Sequence, residues 1–238
     1  MKARAAPPVT GPLTFGMLLY PGFALLDVAG PQLALGAHGR TLLFSKTLEP
    51  VHTGTGISLN PTTTFADAPE WLDVLFVPGG LGTNAAMADR EIVDFLARMG
   101  QRARYVTSVC SGSLLLGMAG LLDGYRAATH WAMYETLEAL GVQAGHERVV
   151  VDRNRITGGG ATAGIDFALT LLAELRGEGA AKITQLMMEY DPKPPFDAGH
   201  PLVAGEVLTR AAIDVIGEDL IRGGVEVAKR RAPAAVAA

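Results

Sequence analysis

The chain contains a single cysteine, Cys110, and its setting suits nucleophilic chemistry. It sits in RYVTSVCSGSLLLGMAG, residues 104–120. Tyr105, Val106, Thr107 and Val109 predict a buried strand, and Leu114, Leu115, Leu116 and Met118 predict the first turns of a helix. Ser111, Gly112 and Ser113 then make a sharp strand-to-helix turn that holds the thiol out at the end of a sheet. The unpaired N–H groups and positive dipole end of the helix are expected to stabilise a thiolate there and lower its pKa. A lone cysteine can also be a small buried hydrophobe. These flanking residues, however, suit an exposed elbow better than a core strand. Ser111 and Ser113 are rival nucleophiles, but neither has a base nearby in sequence, and a hydroxyl needs that help more than a thiol does. The Ser111 hydroxyl is expected as a hydrogen-bond partner of the thiol.

Three further features could serve the same chemistry. Asp27 lies among apolar neighbours in FALLDVAGP, and a charge is costly to bury without a partner, so it is either a helix-capping acid or part of a site. Pro78-Gly79-Gly80 follows the apolar run 74–77, and glycines there either turn the chain tightly or aim backbone N–H groups at a bound group. His130 either pairs with a thiolate or caps the helix after Trp131. The five histidines show no HxxxH or HExxH spacing, so no metal is assigned. The glycine-rich turns lack a Walker lysine or dinucleotide spacing, so no nucleotide is assigned either.

The elements that must position these residues alternate between strand and helix. LTFGMLLY predicts a first central strand, closed by Pro21 and Gly22; Leu25 to Leu35 follow at helical spacing, with Pro31 as an interruption. RTLLFSKT and 57–65 read as strands, and 74–77 as another buried strand. Residues 89–100 read as a helix with Ile92, Val93, Phe95, Leu96 and Met99 on one face. A short strand is expected to end near His130 and Trp131, ahead of the helix WAMYETLEALG. RVVVD and RITGGG read as a hairpin, and ATAGIDFALTLLAEL as an amphipathic helix. This alternation predicts an α/β, mostly parallel, doubly wound sheet, and such sheets bind ligands at the carboxyl ends of their strands. After Gly177 come a helix near 181–189, a Pro-rich arm at 190–201 whose Tyr190 and Phe196 could dock on the body or on a second subunit, and a last helix or pair.

Length and composition fit this outline. At 238 residues, with 49% apolar and 18% charged residues, the chain is expected to fold as one domain, 1–238, with a loose leader at 1–12 and a frayed tail at 232–238. A net charge of −4 and a pI near 5.7 supply no basic field for nucleic acid or acidic lipid; the basic cluster 229–231 stands near the end. One cysteine cannot form an intramolecular disulfide, and no apolar run is long enough to span a bilayer, so a cytoplasmic location is expected.

Taken together, VLFVPGG, SVCSGSLLLGMAGLLDGYRAATHW and ITGGGATAGIDFALTLL resemble the ThiJ/PfpI superfamily over about residues 13–177. The resemblance implies a class I glutamine-amidotransferase-like, flavodoxin-like three-layer sandwich with helices on both faces and a nucleophile elbow. YPGFALLDVAGP and YDPKPPFDAGHP are most similar to the isonitrile hydratase subgroup. That likeness implies Cys110 as nucleophile, Asp27 as the acid beside it where many members have glutamate, and an oxyanion-type pocket from the N–H groups of Gly80 and Ser111. Ser111 stands where the subgroup commonly has threonine, a departure that bears on substrate fit. The implied reaction turns a small-molecule isonitrile into an N-substituted formamide without a cofactor, in a homodimer. Alternatives are a glyoxalase or deglycase acting on 2-oxoaldehydes, for which His130 would matter more, and a redox or ligand sensor. Similar domains precede AraC-type DNA-binding modules, but the residues after Gly177 carry too little basic charge for a paired helix-turn-helix.

Overall fold

The computed structural model describes residues 11–231; the tail and nearly all of the expected leader lie outside them. Its strands and helices follow in chain order. The first half runs β1 (Leu13–Leu18), α1 (Leu25–Leu35), β2 (Gly39–Ser45), β3 (Val51–His52), β4 (Ser58–Leu59), β5 (Thr63–Thr64), β6 (Leu72–Val77), α2 (Thr83–Ala88), α3 (Arg90–Gly100), β7 (Ala103–Val109) and α4 (Gly112–Met118). The second half runs β8 (Arg126–Ala127), α5 (Tyr134–Ala139), β9 (Gln143–Ala144), β10 (Val149–Asp152), β11 (Arg155–Gly158), α6 (Ala163–Arg176), α7 (Glu178–Met187), α8 (Pro201–Ile216) and α9 (Glu218–Ala228).

The main sheet has the order β10-β11-β7-β6-β1-β2-β5, and only the β10–β11 hairpin is antiparallel. Its central strands are apolar on both sides because helices cover both faces, with α1, α6 and α7 on one and α2 to α5 with α9 on the other. This is the mostly parallel α/β sheet expected from the alternation, in the flavodoxin-like sandwich that the resemblance implied. Strand order reverses between β1 and β6, so a crevice opens beyond their carboxyl ends. Asp73, in the otherwise apolar β6, accepts the Thr14 N–H at 2.8 Å and ties the starts of β6 and β1 together.

Several local expectations change. Helix α1 runs unbroken through Pro31, which is buried; its ring packs where α6 has Gly164, whose Cβ would lie 3.3 Å away. Proline lacks the N–H that would reach the carbonyl four residues back, that of Asp27, and the packing against α6 offsets the lost bond. His130 and Trp131 are not strand. The strand there is only Arg126–Ala127, paired with β9 in a separate two-stranded sheet, and His130 caps a 3₁₀ turn at Trp131–Met133. Within 57–65 only β4 and β5 form, two residues each. Helix α2 was not foreseen. In the arm, Tyr190 docks on the body by donating its hydroxyl to Asp166 at 3.1 Å, whereas Phe196 is exposed. Among the described residues no helix is long and apolar enough to cross a membrane.

Candidate active site

Cys110 occupies the elbow between β7 and α4 with φ 58°, a left-handed conformation that costs a side-chain-bearing residue roughly 1–2 kcal/mol. The surroundings hold it there. Its N–H is shared between the carbonyls of Gly158 at 3.1 Å and Gly159 at 2.6 Å, and its carbonyl accepts hydroxyls from Thr129 at 3.1 Å and Ser113 at 3.3 Å. Ser113 is fully buried in this supporting role, which removes it as a rival nucleophile. The turn is tight enough that a Cβ on Gly79 would lie 2.5 Å from the Ser111 nitrogen and one on Gly112 would lie 2.1 Å from the Val77 carbonyl oxygen. Only glycine allows this approach.

Asp27 enters from α1, which follows β1. It is fully buried and is not a capping acid: its Oδ2 accepts the Gly79 N–H at 2.8 Å, its Oδ1 has no hydrogen-bond partner, and its carboxylate faces the Cys110 thiol. Burial pushes its pKa up to about 6, with the Gly79 N–H and the thiol pulling back. The expected thiolate is not the resting form. Burial and the Asp27 charge push the Cys110 thiol well up, against the Ser111 N–H and hydroxyl, which favour the anion, so at neutral pH the proton of the pair rests on sulfur. The dipole of a seven-residue helix does not outweigh burial beside a carboxylate.

The anion-binding N–H groups expected from the glycine turn are otherwise engaged. Gly79 N–H holds Asp27, and Gly80 N–H donates to the Ser111 hydroxyl at 3.1 Å. Ser111 Oγ also lies 2.7 Å from the Thr83 hydroxyl, and Thr83 lies 3.0 Å from the hydroxyl of the buried Tyr20. Neither Thr83 nor Tyr20 was singled out from the sequence. His130 lines the same cavity; its Nδ1 accepts the Ala132 N–H at 3.3 Å, and burial lowers its pKa, so it is a neutral ring with its proton on Nε2. The structure thus gives His130 the capping role and a place in the cavity wall together.

The cavity holds about 430 Å³ and joins Asp27, Cys110, Ser111, Gly80 and His130. Its remaining wall is largely apolar, from Phe23, Leu26, Leu81, Met133, Ile216 and Leu220. The last two come from the α8–α9 junction, which no motif placed near the cysteine. Among the described residues no group of three His, Cys, Asp or Glu side chains could hold a metal ion.

An acid and a strained cysteine set at the switch point of such a sheet define a class of cysteine-elbow α/β proteins, and residues 16–174 match the DJ-1/PfpI family model. The chain belongs to the DJ-1/PfpI family. It is 50% identical over 207 residues to isonitrile hydratase of Pseudomonas putida, covering 84% of this chain and 90% of that protein. A solved ThiJ/PfpI family protein from Pseudomonas syringae superposes with a TM-score of 0.89 at 44% identity, covering 92% of this chain and 91% of that one. The HTH-type transcriptional regulator GbdR of Pseudomonas aeruginosa is 33% identical over 202 residues, 79% of this chain but 54% of the regulator.

Proposed function

We propose that this chain hydrates isonitriles to N-substituted formamides, with Cys110 as nucleophile and Asp27 as general acid and base. The observation that carries the reading is the pairing of a thiol with a buried carboxylate that keeps one oxygen free, both opening into an apolar cavity. An isonitrile, R–N≡C, is a neutral, linear electrophile with an apolar substituent. It suits such a cavity better than a charged substrate does.

In the first step Asp27 takes the thiol proton as sulfur bonds to the terminal carbon, and it returns that proton to the same carbon, leaving a thioimidate, R–N=CH–S–Cys110. Water then adds to this carbon while the nitrogen gains a proton, with Asp27 again moving the protons. The tetrahedral adduct collapses as the C–S bond breaks, the hydroxyl becomes a carbonyl, and the proton it loses restores the thiol. The sum is R–NC plus water giving R–NH–CHO. Ser111 N–H and hydroxyl face the sulfur and favour its anion as it attacks and as it leaves. Neutral His130 supplies an N–H donor at the cavity wall for the incoming water or the developing oxyanion.

Incubation with a small alkyl or aryl isonitrile, with product formamide identified by mass spectrometry, tests the reading. Wild-type protein is expected to form it, and Cys110→Ala is not. No formamide from the wild type would overturn the function, and unchanged turnover by Cys110→Ala would overturn the mechanism. A 2-oxoaldehyde run in parallel addresses glyoxalase chemistry in the same cavity.

A further inference from the structure

Behind the nucleophile the Ser111 hydroxyl continues into a chain of hydroxyls, Thr83 and Tyr20, that the isonitrile mechanism leaves without a role. Tyr20, at the end of β1, places its hydroxyl 3.0 Å from the Pro78 carbonyl oxygen and 3.0 Å from Thr83 Oγ1. Thr83 Oγ1 lies 2.7 Å from the Gly80 carbonyl oxygen and 2.7 Å from Ser111 Oγ, and the Ser111 hydroxyl faces the Cys110 sulfur. Tyr20, Thr83 and Ser111 are all buried.

Counting hydrogens shows that these bonds cannot all form together. Three hydroxyl hydrogens face four hydrogen-bonding distances and the sulfur, and two of the acceptors are backbone carbonyls that can only receive. Several arrangements give every hydroxyl hydrogen an acceptor without two hydrogens meeting, and two of them stand at the extremes. In one, Tyr20 donates to Pro78, Thr83 to Gly80 and Ser111 to Thr83, which leaves Ser111 Oγ with a lone pair toward a neutral S–H. In the other, Tyr20 donates to Thr83, Thr83 to Ser111 and Ser111 to sulfur, so three aligned hydroxyl dipoles point at a thiolate. Passing between them turns only hydrogens about C–O bonds. The Gly80 N–H donates to Ser111 Oγ in both, which holds the oxygen still while its hydrogen moves.

We propose that Thr83 and Tyr20 are positioning residues that act through Ser111, forming a hydroxyl relay whose direction reverses with the charge on Cys110. Such a relay lowers the cost of the thiolate when sulfur attacks and when it leaves, and it withdraws that stabilisation while sulfur is a neutral thiol or thioimidate. Aligned hydrogen bonds polarise one another, so the distant hydroxyls contribute beyond the one that touches sulfur. The titratable groups facing Cys110 are Asp27 from α1, Tyr20 through the relay, and His130 ahead of the 3₁₀ turn. The α8–α9 junction brings Ile216 and Leu220, which carry no charge. The benefit to turnover rests on the isonitrile reading, whereas the effect on the thiol does not.

The test therefore reads the thiol first, without substrate. The rate of Cys110 alkylation by iodoacetamide is followed from pH 6 to pH 11 in wild type, Thr83→Val, Thr83→Ser and Tyr20→Phe. Thr83→Val is expected to move the profile toward higher pH and to slow alkylation at fixed pH about tenfold, Tyr20→Phe to do the same by about threefold, and Thr83→Ser to match wild type. With isonitrile as substrate, Thr83→Val is expected to lower kcat with KM unchanged. Profiles of Thr83→Val and Tyr20→Phe that superimpose on wild type would overturn the relay whatever the enzyme acts on. Shifted profiles with no isonitrile turnover by any form would keep the relay and discard the substrate. Should Thr83→Val fail to fold by thermal melting, Tyr20→Phe, which loses one buried oxygen only, decides the matter by the same profile.

Discussion

At the level of single residues, the proposed mechanism divides one proton between two groups that each resist charge. Asp27 ionises near pH 6 while Cys110 holds its proton far higher, so the carboxylate is ready to act as base once the pH exceeds about 6. Formamide production is expected to rise along an acid limb centred near pH 6, and Asp27→Asn is expected to lose at least about 100-fold and to show no such limb, as measured by initial rates from pH 4.5 to 9. The same shift sets a sign for stability. An Asp27 pKa raised from 3.8 to about 6 means that folding favours the protonated acid; this contribution is full below about pH 3.8 and is lost as pH rises through about 6. Asp27→Asn, which keeps an acceptor for Gly79 N–H, is therefore expected to be more stable than wild type at pH 7.5 by about 2–3 kcal/mol, with the gap closing toward pH 4, as read by urea unfolding. Cys110 and Asp27 were legible because each is an odd residue in its local context. Thr83 and Tyr20 were not, since one threonine and one tyrosine beside apolar strands look the same whether or not their hydroxyls meet.

At the level of elements, three turns after three parallel strands build the site: β1 leads to α1 and Asp27, β6 to Gly79-Gly80, and β7 to the Cys110 elbow. The elbow stores strain that glycine would relieve. Cys110→Gly is expected to exceed Cys110→Ala in unfolding free energy by about 1 kcal/mol, with both inactive, as denaturant titration would show; equal stabilities would mean that the φ of 58° carries no cost. Strands flanked by glycine and long amphipathic helices were readable from periodicity, as in α3, where Asp89 caps the helix through the N–H groups of Glu91 and Ile92. Short pieces were not. Helix α2, TNAAMA, has six residues and too few apolar positions to show a period, yet it delivers Thr83; Pro31 suggested a break that packing against α6 overrides. The lowered thiol pKa expected of a helix N-terminus failed for a related reason, because burial and a facing carboxylate come from elements distant in sequence.

At the level of the whole molecule, the last third of the described chain leaves much apolar surface bare. Leu186, Leu202, Val207 and Val215 are each more than 80% exposed, and helix α8 buries no residue. The homodimer expected from the sequence would cover this face. Sedimentation is expected to give twice the 24.9 kDa chain mass, and Leu202→Asp combined with Val207→Asp to give the monomer; a monomeric wild type would leave the face unexplained. The mostly parallel character of the sheet was legible from its alternation, but its strand order and the return of the C-terminal helices to the cavity were not, since only tertiary packing brings Ile216 and Leu220 over Cys110. That return has a thermodynamic consequence. The wall includes Gly22 from the first loop and Leu220 from α9, and α9 is otherwise moored to the body partly by the Asn84 side chain, which donates to the Leu220 carbonyl at 2.7 Å. A molecule lodged in the cavity therefore staples α9 to the loop after β1. Deuterium uptake by the backbone amides of α9, far from the reacting sulfur in sequence, is expected to slow as the cavity fills.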